Sequence, residues 1–164
     1  MKADLTDRQI AEYFRRSYTA VDGLWFMKVE GKWGFEAALK ADEEVWRVQP
    51  KIQARMLKAM MGLDNGIQGL RRAVLTRLAI EGFEFNVEDV QDGLRFKIER
   101  CPWHDLLLRS GRENLSERIG DLICGTENDI WASEFGDISF KRSRRICRGD
   151  EICILCFLEN AKMP

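Results

Sequence analysis

The stretch GFEFNVEDVQDGLRFKIERCPWH, residues 82–104, decides the fold because the spacing of the apolar residues changes within it. Upstream of Gly82 apolar residues recur about every 3.6 positions, as in helices, and downstream they alternate with polar residues, as in strands. Two alternating runs flank the turn-forming pair Asp92-Gly93, and their apolar residues are Phe83, Phe85, Val87, Leu94, Phe96 and Ile98. Because Pro102 suits the first position of a helix, the stretch predicts a β-hairpin that leads into a helix.

Beyond the hairpin, helical spacing returns and two more strands follow. Asn114 and Glu117 resemble a capping box before a helix, and Thr126 is predicted to start one last helical turn. A turn at Gly149-Asp150 separates the last two alternating runs, whose apolar row is Ile138, Phe140, Ile152, Ile154, Cys156 and Leu158. The order β-β-α-α-β-β predicts an α+β fold with one four-stranded antiparallel sheet and helices on one face.

The first half of the chain has the pattern of helices. Thr6 and Gln9 form a capping box, and the apolar spacing behind them predicts an amphipathic helix of about five turns, ending in the GKWG stretch, residues 31–34. A second helix follows, and Pro50 either kinks it or starts a new segment, because proline clashes with the preceding turn. Asp64 is predicted to cap a further helix.

No linker is long enough to separate two domains, so we expect a single domain, 1–164. It consists of a helical half, 1–80, and a sheet half, 81–164. The apolar stripe of the helical half is too long to stand free, and we expect it to pack on the sheet or on a second copy of itself. The sequence therefore predicts a homodimer.

The composition is that of a soluble globular protein, with 45% apolar and 32% charged residues. Lys and Arg total 26 against 27 acidic residues, so no overall field attracts nucleic acid or a membrane. No apolar run approaches the roughly 18 residues of a membrane helix. The first residues, MKADLTDRQ, contain no apolar signal core, and we expect a cytoplasmic protein.

The five cysteines all lie beyond residue 100, and two short spacings among them resemble zinc half-sites. These are Cys101-x-x-His104 and Cys153-x-x-Cys156. Positions 153 and 156 point to opposite faces of a regular strand, which weakens this four-ligand interpretation. The alternative is a set of buried free thiols, since cysteine is among the most buried residue types.

A second grouping joins Cys101, Cys124 and Cys153. If these three converge, they form either a catalytic site or a metal site, for which zinc is the candidate. The helix start after Cys101 favours a low thiol pKa, so Cys101 becomes a nucleophile with His104 as its base and Cys153 in the same catalytic site. In the alternative interpretation Cys101 is only the N-cap of the helix and His104 is a solvated residue of its first turn.

Aromatic residues near Asp22 suggest a pocket for a planar, nitrogen-bearing ligand. The predicted ligand-binding residues are Asp22, Trp25, Trp46, Trp103 and Cys124. Asp22 is equally suited to a helix–helix salt bridge with Arg47 or Arg55. Glu134 is either a metal ligand beside the cysteines or a solvated helix end.

The basic run KRSRR, residues 141–145, has two interpretations. A basic cluster can contact phosphate. A solvated face on an edge strand is favoured, because lysines and arginines there discourage pairing with other chains. We therefore expect no nucleic-acid partner.

A resemblance covers nearly the whole chain. CPWHDLLLRSGR, residues 101–112, Cys124 and CRGDEIC, residues 147–153, resemble the C-terminal half of the L-2-amino-thiazoline-4-carboxylic acid hydrolase-like family. Residues 17–55 resemble small cytosolic prokaryotic proteins that group with it. The resemblance implies an architecture related to 4-vinyl reductase type ligand-binding domains, some of which hold a metal through cysteines and an acid. Glu127 occupies the acidic position three residues after the helix cysteine, whereas Cys147 and Cys156 depart from the family pattern.

Together these features predict a small-molecule-binding protein with a cysteine-lined site. The resemblance implies an enzyme, a hydrolase acting on a carbon–nitrogen bond of a cyclic amidine. The alternative is a non-enzymatic sensor or binding module that holds a metal or a small aromatic ligand. A third interpretation is an interaction protein whose thiols only pack.

Overall fold

A computed structural model describes residues 4–160 of the chain. Its internal contacts divide the chain into two compact units, the first ending at Asp42 and the second beginning at Glu43. The predicted division at residue 80 instead separates the helical part of the chain from the part that contains the strands.

The first unit is built on one long helix, α1, Asp7–Trp33. Its start is the predicted capping box, in which the Gln9 amide donates to Thr6 Oγ1 at 3.3 Å and the Thr6 amide donates to Gln9 Oε1 at 2.9 Å. The helix is longer than the predicted five turns because it continues through Gly31. It ends at Gly34, whose φ of 86° is open to glycine and costly for other residues.

Helix α2, Phe35–Trp46, begins in the first unit and ends in the second. Helix α3, Gln49–Met61, carries Pro50 in its first turn, as predicted, where a missing amide hydrogen costs nothing. Helix α4 spans Ile67–Glu81, and its N-cap is Gly66. The predicted cap at Asp64 is therefore wrong. The Asp64 backbone instead lies against Gly69, where a Cβ would be 1.9 Å from the Asp64 carbonyl oxygen.

The strands form the predicted sheet. They are β1, Glu84–Val90; β2, Gly93–Arg100; β3, Ile138–Ser143; and β4, Cys153–Glu159. The order is β1-β2-β4-β3, and every neighbouring pair is antiparallel. The fold class is therefore α+β with β-β-α-α-β-β order, as the change of spacing after Gly82 predicts.

Two helices connect the hairpins. Helix α5, Pro102–Arg109, follows Cys101, and helix α6, Ser116–Glu134, runs without a break. The predicted cap at Asn114 is wrong because Glu113–Leu115 form a short 3-10 helix before α6. The separate turn predicted from Thr126 is also wrong, since that residue lies inside α6.

The core of the second unit joins the sheet to helices α3, α4 and α6. Its largest fully buried side chains include Trp131, Phe96, Phe135, Phe157, Leu70, Leu78, Leu94 and Ile98. On β4 the buried residues are Leu155 and Phe157, so the predicted row through Ile154 and Cys156 lies on the other face. The pairing Ile98↔Cys153 explains this, because Cys153 and every second residue after it stand beside the buried residues of β2.

Candidate functional site

Helices α4 and α6 bring a group of polar side chains together inside the second unit. Arg77 is only 4% exposed, and its Nη1 donates to Glu127 Oε1. Its Nη2 donates to Asn128 Oδ1 at 3.2 Å, and Asn128 Nδ2 donates to the Cys124 carbonyl at 2.8 Å. We call this group, with Glu81, Trp103 and Trp131, the Arg77 cluster.

One aromatic ring, that of Trp131, lies against the guanidinium of the cluster. The Cζ atom of Arg77 lies 5.2 Å from the centre of the Trp131 ring, within cation–π range. Trp131 is 0% exposed and stacks on Phe135 at an interplanar angle of 12°. Two of the predicted ligand-binding residues, Trp46 and Trp103, meet edge to face at 5.8 Å.

Glu81 ends α4 one turn after Arg77, and its environment disfavours its charged form. Burial raises the pKa of Glu81 to about 7, although the Arg77 charge and a hydrogen bond from the Trp103 side chain lower it. The Glu127 carboxylate raises it further. The residue as a whole is partly exposed, but its Oε1 atom is closed off from solvent.

Three buried polar atoms of the cluster have no hydrogen-bond partner within the described residues. They are the acceptor Glu81 Oε1 and the donors Arg77 Nε and Trp131 Nε1. Each such group costs about 1–3 kcal/mol relative to a satisfied one. Because buried polar groups in native proteins are nearly always paired, these three atoms are exceptions that call for an explanation.

The thiols lie beside this cluster in a dry environment. Burial raises the pKa of Cys101 to about 12, although the His104 and Trp103 amides at the start of α5 lower it. Burial also raises the pKa of Cys124, and the negative charges of Cys101 and Glu127 add to the effect. The prediction of a low pKa at Cys101 is therefore wrong, because loss of solvent outweighs the helix start.

The side chain of His104 has a partner in α6. Its Nδ1 lies 2.7 Å from Ser116 Oγ, at the start of α6, and the Ser116 residue is 3% exposed. Cys101 is the N-cap of α5, as the alternative interpretation predicts, and His104 lies half-buried in the first turn of that helix. Ser116 is a partner that the sequence interpretation missed.

Two of the suggested metal ligands have contacts within the protein. Within residues 4–160, no group of three His, Cys, Asp or Glu side chains is found that could hold a metal ion. A zinc site of Cys101, Cys124 and Cys153 stays a prediction. Cys153 Sγ accepts a hydrogen bond from the Ile146 amide at 3.1 Å, and Glu134 forms two bonds with Arg55 at 2.9 and 3.0 Å.

The remaining predicted residues have separate locations. Asp22 and Trp25 lie on α1 in the first unit, and their part in a ligand site stays a prediction. The two arginines suggested as partners of Asp22 have contacts with acids, Arg47 with Glu43 and Arg55 with Glu134.

The basic run 141–145 begins on the edge strand β3, as expected, and Lys141 and Arg144 are exposed to solvent. The Arg142 side chain is only 6% exposed, and its Nη2 contacts Asp121 Oδ1 at 3.0 Å. Arg145 and Arg148 contact the same carboxylate. The interpretation as a solvated face is therefore wrong for Arg142, because its side chain is buried in contact with Asp121 of α6.

A family model matches residues 4–112, more than half of the chain, and its description is a family of unknown function, DUF6125. The chain belongs to this family. No curated protein and no solved structure matches it. The matched range contains Arg77, Glu81, Cys101 and Trp103 and ends before α6. The resemblance to the thiazoline hydrolase-like family stays a prediction.

The sequence interpretation missed Arg77 and Glu81, although a signal for them exists. Both fall at helical spacing on the stripe that α4 buries, together with Leu70, Ala73, Val74 and Leu78. A charged residue on a buried stripe requires a partner, because an unpaired buried charge is costly.

None of the helices within residues 4–160 combines the length and the apolar character that crossing a membrane requires.

Proposed function

We propose that the chain binds a small planar ligand in its second unit, against the Arg77 cluster. The observation that supports this is the set of buried atoms without partners, Glu81 Oε1, Arg77 Nε and Trp131 Nε1. Their chemistry specifies the ligand, which must present a nitrogen donor to the carboxylate and an acceptor to the two N–H groups. Trp131, Trp46 and Trp103 provide the aromatic surroundings that such a ligand favours.

The charges of the cluster favour a nitrogen group that is protonated. One guanidinium, Arg77, faces two carboxylates, Glu81 and Glu127, so ionised Glu81 leaves one negative charge in excess. An amidine neutralises this charge and donates to the free oxygen of Glu81. A carboxylate on the same small molecule would accept from Arg77 Nε and Trp131 Nε1. A cyclic amidine that carries a carboxylate combines both groups.

The test uses 2-amino-2-thiazoline-4-carboxylate as the probe, with 2-amino-2-thiazoline as the analogue without the carboxylate. Isothermal titration calorimetry is expected to show tighter binding of the first compound, and Glu81→Gln should abolish it. Binding should strengthen between pH 6 and pH 8, since Glu81 has a pKa of about 7 and ionises in this window.

Glu84→Gln is the matched control, because Glu84 is an exposed acid on β1 that pairs with Arg100. It should bind the probe as the original chain does. If both acid-to-amide variants bind equally well, the Arg77 cluster is a structural network and the proposal fails.

Hydrolysis of a cyclic amidine is a second candidate, and Glu81 supports it better than the cysteines do. A carboxylate with a pKa of about 7 suits a general base, whereas a thiol with a pKa of about 12 is a poor nucleophile. Water would add to the amidine carbon while Glu81 accepts its proton, and the tetrahedral adduct would then collapse by breaking a carbon–nitrogen bond as Glu81 returns the proton to the leaving nitrogen. Loss of probe measured by NMR tests this activity. It should survive Cys101→Ser and disappear in Glu81→Gln, and the opposite result would restore the predicted thiol mechanism.

The partner and assembly predictions are separate from this proposal. A homodimer, a cytoplasmic location and the absence of nucleic-acid and membrane partners stay predictions.

A further inference from the structure

A second charged group lies away from the Arg77 cluster, where the connection between β3 and β4 meets α6. The connection contains a short 3-10 helix, Ile146–Arg148. Arg142 near the end of β3 and Arg145 and Arg148 in the connection follow one another at three-residue steps and converge on the single carboxylate of Asp121. We call these four residues and Glu117 the Asp121 cluster.

The carboxylate of Asp121 is saturated by these contacts. Its Oδ1 accepts from Arg142 Nη2 at 3.0 Å and Arg145 Nη1 at 2.7 Å. Its Oδ2 accepts from Arg148 Nε at 3.0 Å and also from Arg148 Nη2. Four bonds are about what the two oxygens of a carboxylate can accept. Since three guanidinium groups carry about fifteen N–H bonds, most of their donors remain available.

The cluster also has an excess of positive charge. Three arginines face Asp121 and the Glu117 carboxylate, which lies 3.3 Å from Arg148. Arg142 is nearly buried, whereas the side chains of Arg145 and Arg148 are 29% and 49% exposed. The uncompensated charge is therefore presented to solvent by Arg145 and Arg148.

Backbone contacts hold the arginines in place. The Arg145 amide donates to Asp150 Oδ2 at 2.6 Å, and the Arg148 amide donates to the Arg145 carbonyl at 2.8 Å. Arg142 Nη1 donates to the Gly120 carbonyl at 2.8 Å. Gly120 has no space for a side chain, because a Cβ there would be 2.9 Å from Cys147 Sγ. The guanidinium groups are thus ordered before any ligand binds, which lowers the entropy cost of binding.

We propose that Arg145 and Arg148 bind a small oxyanion of the phosphate class at the Asp121 cluster. The planar guanidinium presents paired N–H donors that match two oxygens of one phosphate, and ordered arginines favour this geometry over a single point contact. Phosphate would supply the third counterion that the three arginines lack beside Asp121 and Glu117. The same chemistry serves inorganic phosphate and a phosphate group carried by a larger metabolite.

The test titrates inorganic phosphate into the full chain at low ionic strength and follows arginine side-chain resonances by NMR. Binding is expected to perturb Arg145 and Arg148. Arg145→Gln and Arg148→Gln should each weaken it about tenfold or more, since each removes a charge-assisted contact. Added chloride salt should weaken binding as well.

Arg100→Gln is the matched control, because Arg100 is an exposed arginine outside the Asp121 cluster. It pairs with Glu84 and Asp105. It should leave phosphate binding unchanged. Arg148→Lys keeps the charge without the fork and should retain part of the affinity, which also separates binding loss from misfolding. The proposal is overturned if phosphate does not bind at millimolar concentrations, or if Arg100→Gln reduces binding as much as Arg148→Gln does.

Discussion

Helix α6 contributes to two arginine–carboxylate clusters that differ in their access to water. In the Arg77 cluster the guanidinium is buried, and burial raises the pKa of Glu81 to about 7. In the Asp121 cluster burial also raises the pKa, but hydrogen bonds from Arg148 and Arg145 outweigh it and the pKa of Asp121 is lowered. The same residue types therefore give opposite acidities, because hydrogen bonds from arginines outweigh burial at Asp121, whereas burial outweighs the Arg77 charge at Glu81.

The two clusters also differ in what a ligand could supply to them. The Arg77 cluster leaves atoms without partners in the interior, which favours a ligand that matches hydrogen-bond donors and acceptors. In the Asp121 cluster the carboxylate is saturated and positive charge remains at the surface, which favours an anion. The first site would select by shape and hydrogen bonding, and the second mainly by charge.

The largest expected effect is the loss of Arg77. Arg77→Met leaves Glu127 without its partner in the interior and should lower the free energy of unfolding by about 3–5 kcal/mol. Arg148→Met, at the half-exposed end of the other cluster, should cost no more than about 1 kcal/mol. Urea unfolding of both variants measures the difference. Equal losses would mean that water reaches both clusters alike.

The next effect is a pH dependence that Glu81 produces. Its folded pKa is raised to about 7, so the folded state holds a proton that the unfolded state releases near its ordinary value of 4.5. Stability should therefore fall as pH rises from about 4.5 to about 7 and then level off. Glu81→Gln should remove this slope and stabilise the chain above pH 7 by at most about 3 kcal/mol. Unfolding free energies measured across this range test it, and an unchanged slope in the variant contradicts it.

Asp121 should show the opposite sign. Because its folded pKa is lowered, its stabilisation is present above the ordinary aspartate pKa of about 4 and is lost as pH falls through the folded value. Asp121→Asn leaves three arginines without their shared acceptor and should cost about 2 kcal/mol at neutral pH. Chloride should reduce this loss by screening the remaining repulsion. A loss that grows with salt would argue against the electrostatic explanation.

The last prediction concerns the reactivity of the Cys101 thiol and has the smallest expected effect on stability. A rise of its pKa from 9.0 to about 12 leaves about a thousandfold less thiolate than an unperturbed cysteine has. Alkylation by iodoacetamide at pH 8, followed by mass spectrometry, should therefore modify Cys101 slowly in the folded chain and rapidly after denaturation. Fast modification in the folded chain would instead support the prediction that Cys101 is a nucleophile.

Most of the fold was predictable because its signals are local. The alternation after Gly82, the turn at Asp92-Gly93 and the Thr6 capping box each depend on neighbours within a few residues. The errors occurred where packing contacts decide, rather than the residue pattern alone. Asp64 is not a cap because its backbone packs on Gly69, and the buried face of β4 follows its register with β2.

The candidate site was predictable only in part. Trp46, Trp103, Cys101 and Cys124 were expected to line a ligand site, and the structure places the two tryptophans together and both thiols within electrostatic reach of Glu127. Arg77, Asn128 and Ser116 were missed as site residues, and Glu127 was noted only through the family resemblance. Their partners lie between 12 and 51 positions away in the sequence.

By itself, the sequence determined the α+β class, the order of the strands along the chain and the apolar faces of β2 and α4, since these depend on residue periodicity. Only the tertiary structure decided the acidities and the partners. Periodicity places a side chain on a face, but the pKa of Glu81 and the direction of the Cys101 shift depend on how much water the packed helices exclude. That exclusion is a property of elements brought together from distant parts of the chain.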